Sequence, residues 1–219
     1  MLANNELNFR AALIAALQVL LLASWGLPAQ AHDNHAQHRP SKQAQPQSSV
    51  EVKLSDAKLF NQDGRPVRFK SEVVGDKIVI MDFVYTTCTT VCPVISALFS
   101  KLQDRLGERL GRDVELVSMT LDPVRDTPSR LKAYAAQHNA RAGWTWLTGE
   151  PKAVNDALKG LGAYASDVSQ HPSMVLIGDA RSGAWIRLFG FPDPDRILAK
   201  VEQLLEARVT GAQLAQGKD

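Results

Sequence analysis

The sequence predicts an α/β domain in which a central mixed sheet is flanked on both faces by helices. Strand-like and helix-like segments alternate from residue 77 onward, and the run KIVIMDFV at residues 77–84 is apolar enough for a strand buried on both faces. Two late strands joined by a short turn then precede a closing helix. With 219 residues, 45% hydrophobic and 22% charged, the chain can bury a full core without covalent staples.

Taken in order, residues 58–69 read as a hairpin turning at Asp63-Gly64. After KIVIMDFV, apolar residues at Val94, Ile95, Leu98, Leu102, Leu106 and Leu110 make one face of a helix over 94–110. Residues 114–121 read as a strand, and the next helix opens with Thr127 as N-cap and Pro128 at its first position. Residues 144–147 form a short strand and 151–161 a helix. Strands at 174–177 and 184–189 surround a turn at 179–183, and residues 195–207 form the last helix. Strands alternating with helices, and a late hairpin followed by a helix, suggest a thioredoxin-like fold with an N-terminal hairpin ahead of it.

The flanks read differently. In residues 1–31, Arg10 precedes an apolar run, and Leu27-Pro28-Ala29-Gln30-Ala31 supplies the small-x-small pattern of a signal peptide, so the exported chain is expected to begin at His32. An uncleaved anchor is the alternative, since residues 11–27 approach the minimum span of about 17 residues; Gln18 and Pro28 weigh against it. Either way the domain is expected in the periplasm or otherwise outside the cytoplasm. Residues 32–49, rich in Gln, His and Ser, read as a disordered linker, 50–208 as the domain and 209–219 as a polar tail. A net charge of +2, with no basic stripe interleaved with aromatics, excludes a nucleic-acid groove.

The chemistry concentrates in YTTCTTVCP, residues 85–93, which holds the only two cysteines, Cys88 and Cys92. As a staple they would close a loop worth about 2 kcal/mol, against about 4.7 kcal/mol for a 100-residue loop. A redox role fits better. Cys88 falls just before a helix and Cys92 in its first turn, where unpaired N–H groups and the helix dipole favour a thiolate; Pro93 suits that turn. Two sulfurs so placed can also face one metal ion, and spacing leaves both readings open.

A metal needs a further ligand. Of five histidines, His32, His35 and His38 lie in the linker, and His138 falls at a helix end where an imidazole is an ordinary dipole partner. His171, in a loop just before a strand, is the better ligand candidate. Two thiolates and an imidazole suit Cu(I), and could hold Cu(II) or Zn(II). The His32-x-x-His35-x-x-His38 spacing could capture Cu(II) with a freed amine, or be a hydrophilic tail.

DFVYTTCTTVCPVIS, followed by VELVSMTLDPVRDTPSRLKAY, GWTWLTG and HPSMVLIGD, resembles the Sco/SenC family of copper-handling thioredoxin-like proteins over residues 54–205. The resemblance implies a copper ion, Cu(I) or Cu(II), held by Cys88, Cys92 and His171. It implies a copper chaperone or thiol protein serving the binuclear copper centre of cytochrome c oxidase. Its partners would be a copper-accepting oxidase subunit and a periplasmic thiol reductant. The family's DPxxDTP aspartate maps onto Asp122, expected to orient a ligand or loop rather than bind metal; an Asp before Pro is also a common turn former. Asp126 adjoins a helix start, where acids are favoured anyway.

Two departures stand out. Thr90 replaces the acidic residue that often precedes Val-Cys-Pro, and His171 lies in Gln170-His171-Pro172 rather than after an Asp. Thioredoxin-like folds commonly place a cis-proline beside the cysteines, which makes Pro172 the candidate here. The rival reading is a thiol-disulfide oxidoreductase in which Cys88 and Cys92 cycle as a redox-active disulfide and copper is incidental. A peroxiredoxin-like peroxidase is a weaker third.

Overall fold

The computed structural model describes residues 47–216. The expected signal segment, residues 1–31, and His32, His35 and His38 of the expected linker lie outside the described residues. Among these residues eight strands form one sheet: β1 (Gln47–Ser49), β2 (Lys58–Asn61), β3 (Pro66–Arg68), β4 (Ile78–Val84), β5 (Val114–Thr120), β6 (Trp144–Thr148), β7 (Met174–Asp179) and β8 (Ala184–Phe189). Their order is β1-β8-β7-β4-β5-β6-β2-β3. β4, β5 and β6 run parallel, and β7 is antiparallel to β4. This is the mixed sheet that the alternation predicts.

Four helices cover it: α1 (Val91–Leu106), α2 (Pro128–Gln137), α3 (Pro151–Gly160) and α4 (Pro194–Gln216). Because side chains alternate across a strand, β4 divides between two cores. Ile78, Ile80 and Val84 pack with Phe99 of α1, Leu131 of α2 and Ile197 of α4. Val79, Met81 and Phe83 pack on the other face with Val154 and Leu158 of α3 and with Phe69. Every residue of β4 and β5 is buried, which is why KIVIMDFV reads as a continuous apolar run rather than an alternating one.

The boundaries shift in instructive ways. α1 starts at Val91, so Cys92 lies in its first turn, and it stops at Gly107, whose positive φ of 53° a side chain resists. Leu110, expected as the last helical residue, lies instead in a bridge to Val114. The last three residues assigned to the linker form β1, paired antiparallel with β8, and α4 continues to Gln216 through most of the expected tail. Thr127 caps α2 by accepting the Arg130 N–H, with Pro128 opening the helix. Among the described residues no peptide bond is cis, which corrects the expectation for Pro172. His171 sits in the extended region (φ −66°, ψ 123°) that suits a residue before a trans proline.

Candidate metal and thiol site

The parallel order of β4 and β5 brings the Cys88 loop and the loop after Thr120 to the same end of the sheet. The segment before β7, antiparallel to β4, arrives there too. Cys88 and Cys92 are free thiols, both buried. The Cys92 backbone N–H donates to the Cys88 sulfur at 3.4 Å, and the Thr90 hydroxyl lies 3.9 Å from the same sulfur. The start of α1 therefore aims its unpaired donors at Cys88, as the helix-start argument requires.

The two thiols diverge electrostatically. Burial opposes the Cys88 thiolate, but the Cys92 thiol and amide, the Thr90 amide and the Tyr85 hydroxyl outweigh it and bring its pKa down to about 6. Burial pushes the Cys92 thiol up, and the neighbouring Cys88 sulfur adds to this. Near neutral pH, Cys88 is a thiolate and Cys92 carries the proton. The hydrogen bond to Cys88 also pushes the Tyr85 hydroxyl up to about 12.

His171 and Cys92 line one pocket of about 140 Å³, walled by Phe83, Tyr85, Leu121 and Met174. The His171 ring packs against Phe83 at a centroid distance of 5.7 Å. Burial holds its pKa below the usual value, with the Ala163 carbonyl acting in the opposite direction. Its Nε2 is buried and has no hydrogen-bonding partner among the described residues. A neutral ring that keeps its proton on Nδ1 leaves the Nε2 lone pair for a ligand. Among the described residues no three His, Cys, Asp or Glu side chains already stand in metal-holding geometry. The two cysteines are thus brought together, and His171 reaches their pocket without completing a ligand set.

Asp122, expected to orient the site, pairs instead with Arg125 at 2.9 Å, while its N–H donates to Thr120 Oγ1. Asp126 does the bracing. Fully buried, its carboxylate accepts the Thr86 hydroxyl at 2.6 Å, the Thr86 N–H at 3.2 Å and the Thr120 hydroxyl at 2.6 Å. It thereby ties the loop that leads into Cys88 to the end of β5. The sequence holds no local sign of this, because Thr86 and Asp126 are 40 residues apart. His138 caps the end of α2 and packs on Tyr134 at 4.9 Å, a structural role.

Asp82, to which the sequence reading assigns no role, is the other group found only in three dimensions. Its one sequence signal is a lone carboxylate inside the apolar run KIVIMDFV. It is 1% exposed, and neither oxygen has a hydrogen-bonding partner among the described residues. Burial raises its pKa to about 7; the nearby Ser118 side chain, which falls short of hydrogen-bond geometry, and its own backbone offset this only in part.

The SCO1/SenC family model matches residues 46–206, the whole of this sheet and most of α4. The chain belongs to the SCO1/SenC family. A candidate copper-binding protein of Stutzerimonas stutzeri is 31% identical over 109 residues, which cover 50% of this chain and 52% of that protein. The chain thus spans about half the length of that relative. A SCO1/SenC family lipoprotein from Bacillus anthracis matches in structure with a TM-score of 0.62 and 26% identity, covering 72% of this chain and 98% of that one. BsSco, a member of the Sco family of cytochrome c oxidase assembly proteins in which a disulfide switch was identified, matches with a TM-score of 0.60 and 26% identity. The alignment with BsSco covers 71% of this chain and 95% of that one. The thioredoxin-like fold of the SCO1/SenC proteins is therefore the fold of this chain. Among the described residues, no helix is long and apolar enough to cross a membrane.

Proposed function

We propose that this SCO1/SenC protein is a periplasmic copper carrier that takes one ion between Cys88, Cys92 and His171 and passes it to the copper-accepting subunit of a cytochrome oxidase. The observation that carries this reading is the buried, unpartnered Nε2 of His171 in the pocket that Cys92 lines, beside the Cys88 thiolate. Thiolate and neutral imidazole are the donors that Cu(I) prefers. Copper here is cargo. Closure of the His171 loop onto the two sulfurs completes the ligand set, and ligand exchange with the acceptor empties it. The relatives support the reading through a candidate copper-binding protein and an oxidase assembly protein. Oxidation of Cys88 and Cys92 to a disulfide removes both sulfur ligands, so a periplasmic thiol reductant keeps the site loadable.

A second reading, a thiol-disulfide oxidoreductase acting on partner cysteines, is favoured by one specific observation. A low-pKa Cys88 beside a protonated Cys92 is the asymmetry that an attacking and a resolving thiol need. Copper titration of the reduced protein separates the two. Stoichiometric Cu(I) binding that weakens at least about tenfold in His171→Ala, the loss of one of three ligands, supports the carrier. Absence of specific binding by the wild type overturns it. Disulfide reduction that persists undiminished in His171→Ala, without copper binding, selects the second reading.

A further inference from the structure

Met174 is the first residue of β7 and lines the pocket that Cys92 and His171 share. β7 runs antiparallel to β4, so its head lies at the end of the sheet where β4 runs into the Cys88 loop. Pairing with Phe189 of β8 fixes the Met174 backbone there. The side chain is 4% exposed and packs in the same cluster as Phe83, the residue whose ring meets His171. A buried methionine is ordinarily a flexible core filler. This one is set apart by its neighbours: Phe83, Val91, Ile95 and Leu121 wall the same pocket with carbon alone, and Met174 brings a thioether to it.

The chemistry of the site favours such a donor. Two thiolates on Cu(I) already make an anionic complex, and a carboxylate or a further thiolate would add repulsion and a costly buried charge. A thioether is neutral, has no proton to lose and needs no hydrogen bond when buried. It is also soft, the property that selects Cu(I). We propose that the Met174 sulfur is a further ligand for the copper that Cys88, Cys92 and His171 take up. His171 sits in the loop ahead of the strand, whereas Met174 belongs to the strand itself. Its sulfur therefore stays in place when the His171 loop opens, and the ion keeps a neutral soft donor while ligand exchange with the acceptor begins.

The inference rests on the copper-carrier reading above, and the test separates the two. The full-length chain carries four methionines, Met1, Met81, Met119 and Met174. The reduced protein is produced with selenomethionine, loaded with one equivalent of Cu(I) and read by X-ray absorption at the copper and selenium edges. A copper–selenium neighbour is expected in the wild type and is lost in Met174→Leu. Competition with a coloured Cu(I) chelator is expected to show about tenfold weaker binding in Met174→Leu, at the low end of what a disturbed metal site loses. Leucine conserves the volume, so an unchanged thermal midpoint reports that the variant is folded. A wild type that binds Cu(I) without a selenium neighbour overturns the assignment whatever the variant does. A selenium neighbour that survives in Met174→Leu overturns it too. Cu(I) binding weakened by His171→Ala but unchanged by Met174→Leu overturns Met174 and leaves the carrier standing. Absence of specific binding by the wild type overturns both.

Discussion

The Asp126 carboxylate receives two hydroxyls and a backbone N–H, while Asp122, four residues earlier, meets one mostly exposed arginine. The difference decides what each is worth. A buried charged acceptor with several donors leaves every one of them stranded when it is removed, whereas a single partner that reaches solvent, as Arg125 does, can turn to water instead. Asp126→Ala is expected to cost about 3 kcal/mol in urea unfolding, and to weaken Cu(I) binding because Thr86 no longer holds the approach to Cys88. Asp122→Ala should cost less than about 1 kcal/mol. Equal losses in the two variants would refute this division of roles. Thr90 matters at the same scale. Its hydroxyl stands near the Cys88 sulfur without adding a charge that would repel the thiolate.

At the scale of elements, the hairpin of β7 and β8 places His171, because the loop that carries it runs straight into Met174 at the head of β7. Gly178 and Trp185 are direct partners in that hairpin, and the indole lies where a Cβ on Gly178 would have to sit. Gly178→Ala is therefore expected to lose about 2 kcal/mol through overpacking. The loss would be read as a lowered thermal midpoint. Retention of the wild-type midpoint would mean that the indole moves aside freely. α1 works in the same way for the sulfurs. By starting at Val91 rather than at the first residue of the apolar period, it places the Cys92 amide at the helix start, where that amide is free to donate to Cys88.

For the molecule as a whole, the buried Asp82 sets a pH dependence of stability with a definite sign. Its folded pKa of about 7 lies above the ordinary 3.8, so the native state binds the proton more tightly than the unfolded chain. Stability from this group is fully present below about pH 4 and is lost as pH rises through about 7. The charged form at alkaline pH costs on the order of 4 kcal/mol relative to a neutral isostere. Asp82→Asn is expected to gain stability over wild type progressively across this window in urea unfolding. Comparing the two proteins cancels the histidines: burial holds His138 and His171 below their usual value, and their stability contribution is lost in the opposite direction, as pH falls. A difference independent of pH would show that Asp82 titrates alike in the folded and the unfolded chain.

The order of strands and helices, the central strands, the Thr127 cap and the placement of Cys88 and Cys92 at a helix start were legible in the sequence. Each depends on residues within a turn or two of one another. His171 could be singled out because it is one of only two histidines within the predicted domain. The brace from Asp126 to Thr86, the unpartnered burial of Asp82 beneath α1 and the trans bond before Pro172 were decided only by tertiary structure. The physical reason is the same for the two carboxylates. A side chain's partner and its access to water are set by segments that meet across the sheet, and neither leaves a periodic trace in the residues beside it.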